Sequence, residues 1–236
     1  MSTIDLKEIQ QKLYENLKPS GWADKLKGYL LSDDFHRVLL TLYGEMNEGN
    51  RFTPVLKQLF RTFEECPFDE LKVIMIGQEP HSKAGVADGI ALSCANTGVI
   101  QGSLKYVFEE LERTVDQNYV QNPDLKRWSN QGVLMLNTSL TTRVGIEKSL
   151  MHEELWKPFM IYLFDVINNS NTGLVYVFMG NHAKEKWRGY VGTANYKWFV
   201  THPASAAYNK SEWNSGDLFN SINKVLKEYH NTEITW

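Results

Sequence analysis

The chain has 236 residues, 42% of them hydrophobic, which is enough to bury a sizeable core in one domain. A formal net charge of −3 excludes a global basic field, so any nucleic-acid contact has to come from a local patch, hydroxyls or backbone amides. The only cysteines, Cys66 and Cys94, match no metal-ligand spacing, and buried, reduced thiols in an intracellular chain are expected.

In chain order, MSTIDLKEIQQKLYENL is charged and amphipathic and lacks the apolar core of a signal peptide. No apolar stretch is long enough to cross a bilayer, so a cytoplasmic location without membrane contact is expected. Trp22, Leu26 and Tyr29, then Phe35, Val38, Leu39 and Leu42, recur at helical spacing. Pro54 opens a further segment with Leu56, Leu59, Phe60 and Phe63 on one face. Four compact apolar runs come next, Lys72–Ile76, Val133–Leu136, Leu174–Met179 and Lys197–Val200, each short enough for a buried strand. Helical patterns lie between them, including Ser103–Val115 and Leu155–Ile167, where Pro158 is tolerable only near the first turn. The alternation predicts an α/β fold, three layers with a central, mainly parallel four-stranded sheet. A single domain is expected, helical over about residues 1–66 and α/β over about residues 67–236.

The segment after each strand is polar: GQEPHS from Gly77, NTSLTTR from Asn137, GNHAKEK from Gly180 and THPASAAY from Thr201. Open α/β sheets bind ligands at the carboxyl ends of their strands, so these four segments should converge on one edge. Each has an ordinary structural explanation when taken alone. Glu79 suits a surface ion pair, His202 a strand end, Asn137 a turn, and Gly180–Lys186 a helix start with solvated lysines. A carboxylate, an imidazole and a planar amide on one edge make a site.

In order and spacing these segments resemble family 1 uracil-DNA glycosylase. GQEPHS is similar to that family's GQDPYH, and GVLMLNTSLTTR to its GVLLLNTVLTV. VFMGNHAKEK is similar to LLWGSHAQKK, and HPASAAY to HPSPLSVY. The lead-in TPVLKQLFRTFEECPFDELKVIMIG fits the family's pattern before its catalytic loop, and HEELWKPF carries His152, Trp156 and Phe159 at the family's offsets. The resemblance runs from about Trp22 to the C-terminus.

The resemblance implies a monofunctional, cofactor-free DNA glycosylase of base-excision repair that flips uracil out of DNA and cuts its bond to deoxyribose. It places Glu79 at the catalytic aspartate and His202 at the histidine that hydrogen-bonds uracil O2. Asn137 would read the N3–H and O4 edge, and Gln78 would line the O2 side, with His81 and Leu92 completing the base pocket. Ser82, Ser103, Ser205, Ala206 and the Gly180–Asn181 turn would contact DNA, with Lys184, Lys186 and Lys210 as screening charges. Implied partners are uracil-containing DNA, single- or double-stranded, and a replication protein or a DNA-mimic inhibitor, with the chain itself a monomer.

The departures from the family pattern cluster in this pocket. Glu79 adds a methylene to the aspartate position, so Glu79→Asp is expected to raise the rate. Leu92 replaces a stacking phenylalanine, His81 a tyrosine that excludes the 5-methyl of thymine, and Ser82 a phosphate-binding histidine. Ala206 falls at about the position of the leucine that wedges into the duplex, and Gln101–Gly102 replace a proline-rich stretch. These changes extend the substrate expectation to a 5-substituted uracil or thymine. They also leave open a second class, a weak or inactive DNA-binding homologue acting as a replication or processivity subunit.

Overall fold

A computed structural model of the chain describes residues 5–146 and 150–236. Helix α1 (Leu6–Asn16) starts at Asp5, whose carboxylate accepts from the Lys7 and Glu8 amides at 2.9 and 3.3 Å. Helices α2 (Trp22–Leu30) and α3 (Asp33–Asn47) come next, the latter capped by Ser32. The predicted spacing holds: Trp22, Leu26 and Tyr29, then Phe35, Val38, Leu39 and Leu42, are all buried. Trp22 donates its indole N–H to the Cys66 carbonyl at 2.7 Å and meets Phe63 and Phe68 edge-on, which pins α2 to the segment leading into the sheet.

A two-residue strand β1 (Phe52–Thr53) and helix α4 (Arg61–Glu65) lead to β2 (Val73–Gly77). Then come α5 (Gly102–Thr114), α6 (Lys126–Ser129), β3 (Val133–Asn137) and the short β4 (Thr142–Arg143). Helix α7 (Glu153–Ser170), β5 (Val175–Met179), α8 (Asn181–Trp187), β6 (Tyr196–Val200), α9 (Ser205–Asn209) and α10 (Leu218–His230) complete the order. Helix α7 begins two residues before the expected Leu155, since Glu153 and Glu154 favour the positive end of the helix dipole; Pro158 therefore falls in its second turn.

The central sheet is parallel, in the order β3-β2-β5-β6. Its two faces divide the strand residues with period two. Ile74, Ile76, Leu134, Leu136, Tyr176 and Phe178 pack with residues of α1–α4 and α7. Val73, Met75, Val133, Met135, Val175 and Val177 pack with residues of α5, α6 and α10. Burial on both faces is why the inner strands read as continuous apolar runs. Strand β6 is the half-exposed edge. Strands β1 and β4 form a separate antiparallel pair, Thr53 opposite Thr142. Among the described residues, no helix is long and apolar enough to cross a membrane.

Candidate active site

Because β2, β3, β5 and β6 run parallel, their carboxyl ends emerge on one edge. Gly77 ends β2 directly opposite Asn137, which ends β3. A Cβ on Gly77 would lie 2.8 Å from Asn137 Oδ1, so glycine is what lets the amide lie across the strand end. The loops after β2 and β3 are laced together. Ser139 N–H donates to the Gln78 carbonyl at 2.9 Å, and Thr138 Oγ1 donates to the same oxygen at 3.1 Å. On the other side, Gly180 has φ +92° and a Cβ there would come within 3.2 Å of His202 Cβ. Its N–H donates to the Val200 carbonyl at 2.8 Å, seating the start of α8 beside the strand that delivers His202. His202 Nδ1 accepts from Ala204 N–H at 3.2 Å, which favours the tautomer with its proton on Nε2.

A cavity of about 120 Å³ opens at this edge. Six of the residues expected at the site line it: Glu79, His81, Leu92, Ser103, Asn137 and His202. Glu79 is half-buried, and its Oε2 accepts from Thr142 Oγ1 at 3.0 Å and from Leu150 N–H at 3.3 Å. His81 is exposed at the rim, and its Nδ1 accepts from Lys83 N–H at 3.1 Å. Ser103 sits in the first turn of α5.

Leu92 belongs to a loop wound around one carboxylate. Asp88, fully buried, accepts from Ile90 N–H at 3.0 Å, Ala95 N–H at 2.8 Å and Ser93 Oγ at 2.6 Å. Arg61 from α4 pairs with it at 3.0 Å. Burial of Arg61 disfavours its charge, but Asp124, Asp88 and Glu65 outweigh that and hold its pKa above the ordinary value. These bonds hold Leu92 at φ +66°, a left-handed conformation costing a leucine on the order of 1–2 kcal/mol. Neither Asp88 nor Arg61 was expected at the site. The available signal was a lone aspartate inside GVADGIALS, an otherwise apolar stretch that has to be buried.

The remaining expected residues lie outside the cavity wall. Gln78 contributes its backbone carbonyl to the bonds with Thr138 and Ser139. Ser82 accepts through its carbonyl from Gly145 N–H at 2.9 Å. Asn181 and Ser205 open α8 and α9. Ala206 is a correction. It is 2% exposed and packs in the core beneath the sheet, so its side chain cannot enter a duplex. Two residues on, Tyr208 is 67% exposed on the same helix and is the large side chain α9 turns outward. Lys186 is also corrected as a screening charge, because Glu153 and Glu154 hold it at 3.0 and 3.1 Å.

The sequence profile of the Uracil DNA glycosylase superfamily matches residues 63–227. A curated uracil-DNA glycosylase 1 of Listeria innocua is 30% identical over 216 residues, 91% of this chain and 96% of that protein. A uracil-DNA glycosylase of Acinetobacter baumannii is 27% identical over 234 residues, 99% and 98% of the two chains. Among solved structures, mimivirus uracil-DNA glycosylase superposes with a TM-score of 0.83 at 22% identity, covering 99% of this chain and 89% of that one. A variant of the mimivirus protein solved in complex with UGI gives 0.80 at 23% identity, covering 92% and 89%. With a profile match over most of its length and relatives aligned nearly end to end, the chain belongs to the Uracil DNA glycosylase superfamily.

Proposed function

We propose that the chain is a monofunctional uracil-DNA glycosylase that hydrolyses the bond between uracil N1 and deoxyribose C1′ and leaves an abasic site. The observation that carries this is one small cavity walled by Glu79, Asn137 and His202. The glycosidic bond is unreachable within the stack, so the nucleotide has to be flipped into that cavity. As C1′–N1 breaks, its electron pair leaves with uracil and the sugar becomes oxocarbenium-like. Glu79 sets its negative charge against that cation. Both of its described contacts fall on Oε2, which leaves Oε1 to hold the water that adds to C1′. His202, with Nδ1 accepting from Ala204 N–H, donates through Nε2 to uracil O2, where negative charge develops. Asn137 accepts from uracil N3–H and donates to O4.

Leu92 offers an aliphatic face in place of a stacked ring, and Gln78 lines the O2 side. Ser82, Ser103, Ser205 and the Gly180–Asn181 turn position phosphates, contacts that carry no sequence information. Tyr208, exposed on the helix that follows His202, supplies an aromatic surface for an unpaired base. The chain acts as one domain and as a monomer inside the cell, on uracil in single- or double-stranded DNA. The relative solved with UGI motivates a DNA-mimic inhibitor as a partner.

The test is release of free base from oligonucleotides carrying uracil, thymine or 5-hydroxymethyluracil, in single and double strands. Uracil release is expected, and Glu79→Gln should slow it by about 10²–10³-fold by removing the charge opposite the sugar cation. A protein that binds these DNAs but releases no base from any of them would instead be a binding subunit.

A further inference from the structure

The carboxylate of Glu79 does not hang free on its longer arm. Thr142 Oγ1 donates to Oε2 at 3.0 Å, and Leu150 N–H donates to the same oxygen at 3.3 Å. Thr142 is itself set in the frame. It is 1% exposed, sits in β4 opposite Thr53, and precedes Arg143, which Glu45 holds through Nε and Nη2 at 3.1 and 2.9 Å. In the family motifs GQDPYH and GVLLLNTVLTV, the residues matching Glu79 and Thr142 are aspartate and valine. The two departures thus meet in space: the chain that lengthens the carboxylate also supplies a hydroxyl to hold it.

We propose that Thr142 is the positioning residue for Glu79, fixing the longer carboxylate so that its other oxygen keeps the place the reaction needs. This rests on the reading of Glu79 as the catalytic carboxylate. A threonine hydroxyl donating to an ionised carboxylate is a charge-assisted bond, short and directional. A flexible glutamate without it has several rotamers within reach. Displacing a catalytic group by about 1 Å costs about 10²-fold in rate. The hydroxyl donates to Glu79 inside the frame, so its loss should leave DNA binding alone.

The test uses Thr142→Val, which keeps the shape and removes the donor, and Thr142→Ser, which keeps the donor. Single-turnover uracil excision by Thr142→Val should fall about 10–100-fold, with KM and DNA affinity within about twofold, and Thr142→Ser should recover most of the rate. Glu79→Asp, too short to reach the hydroxyl, should lose rate, and adding Thr142→Val to it should cost nothing further. Equal losses from Thr142→Val in both backgrounds, or none in either, would overturn the proposal. Should Thr142→Val fold poorly, Thr142→Ala takes its place in the same comparison. A crystal structure of the valine or alanine variant reads the carboxylate directly. If Glu79 stays in place there, the clamp is wrong whatever the activity. If it moves while the wild type excises no base, the clamp stands and the glycosylase reading falls.

Discussion

A side-chain amide can serve either pyrimidine, since turned through 180° it matches cytosine as well as uracil. Discrimination by Asn137 therefore depends on which way its amide is turned, and Gly77 opposite it leaves the amide room across the strand end. Asn137→Asp removes the donor to O4 and puts a negative charge beside the uracil anion as it forms. Uracil release should drop about 10²–10³-fold, while cytosine, whose amine the carboxylate can accept from, loses little. Rates on matched uracil and cytosine oligonucleotides measure this, and an unchanged preference would mean Asn137 does not read the base. The same scale revises the expectation for Glu79. From the sequence alone the added methylene reads as a handicap that aspartate would relieve. With Oε2 bonded to Thr142 and Leu150, the glutamate is held at its full length, and Glu79→Asp is expected to slow the reaction.

Between elements, the site depends on bonds that no periodic pattern announces. Strands β2, β3 and β5 were legible because strands buried on both faces are runs of apolar residues, and α2 and α3 because their buried residues recur at helical spacing. Strands β1 and β4 were not, since two residues each carry no period. Helix α10 could have been found from Leu218, Phe219, Ile222 and Leu226, all buried on one side. The short β4 is nonetheless what brings Thr142 to Glu79, and α3 braces it. Glu45 pairs with Arg143 at 2.9 Å and meets His152 Nε2 at 3.1 Å, while His152 Nδ1 contacts Thr141 Oγ1 at 2.8 Å. Burial alone would push the Glu45 carboxyl up, but Arg143 and His152 outweigh it and hold it below its ordinary value of 4.5. A carboxyl lowered by folding stabilises the fold above its unfolded pKa and loses that contribution as pH falls through the folded one. Glu45→Gln should therefore be less stable than wild type above the unfolded carboxyl pKa, and the gap should close as the solution is acidified through 4.5 and below. Urea unfolding followed across that range checks it, and a gap that widens in acid would assign the bracing to another group.

At the scale of the whole molecule, 25 basic against 28 acidic residues leave little charge to draw DNA in. Ion pairing inside the fold reduces it further near the site. Lys186 is held by Glu153 and Glu154, and Arg61 and Arg143 are committed to carboxylates of the frame. Of the lysines expected to screen phosphates, that leaves Lys184, which lies over the Phe199 ring at 5.2 Å, and Lys210. Hydroxyls and backbone amides release few counterions when they bind phosphate. The logarithm of the DNA association constant should thus fall with the logarithm of salt concentration at a slope of only about −2, the value for about two neutralised phosphates. Titrating a uracil-containing duplex with the slowed Glu79→Gln variant over a range of salt measures that slope with little turnover. A slope steeper than about −5 would mean that more cations than Lys184 and Lys210 meet the phosphates, and the DNA-contacting face would have to be placed elsewhere. Replacing Lys184 and Lys210 together should remove most of the salt dependence while sparing the excision step, because neither residue lines the cavity where the bond is cut.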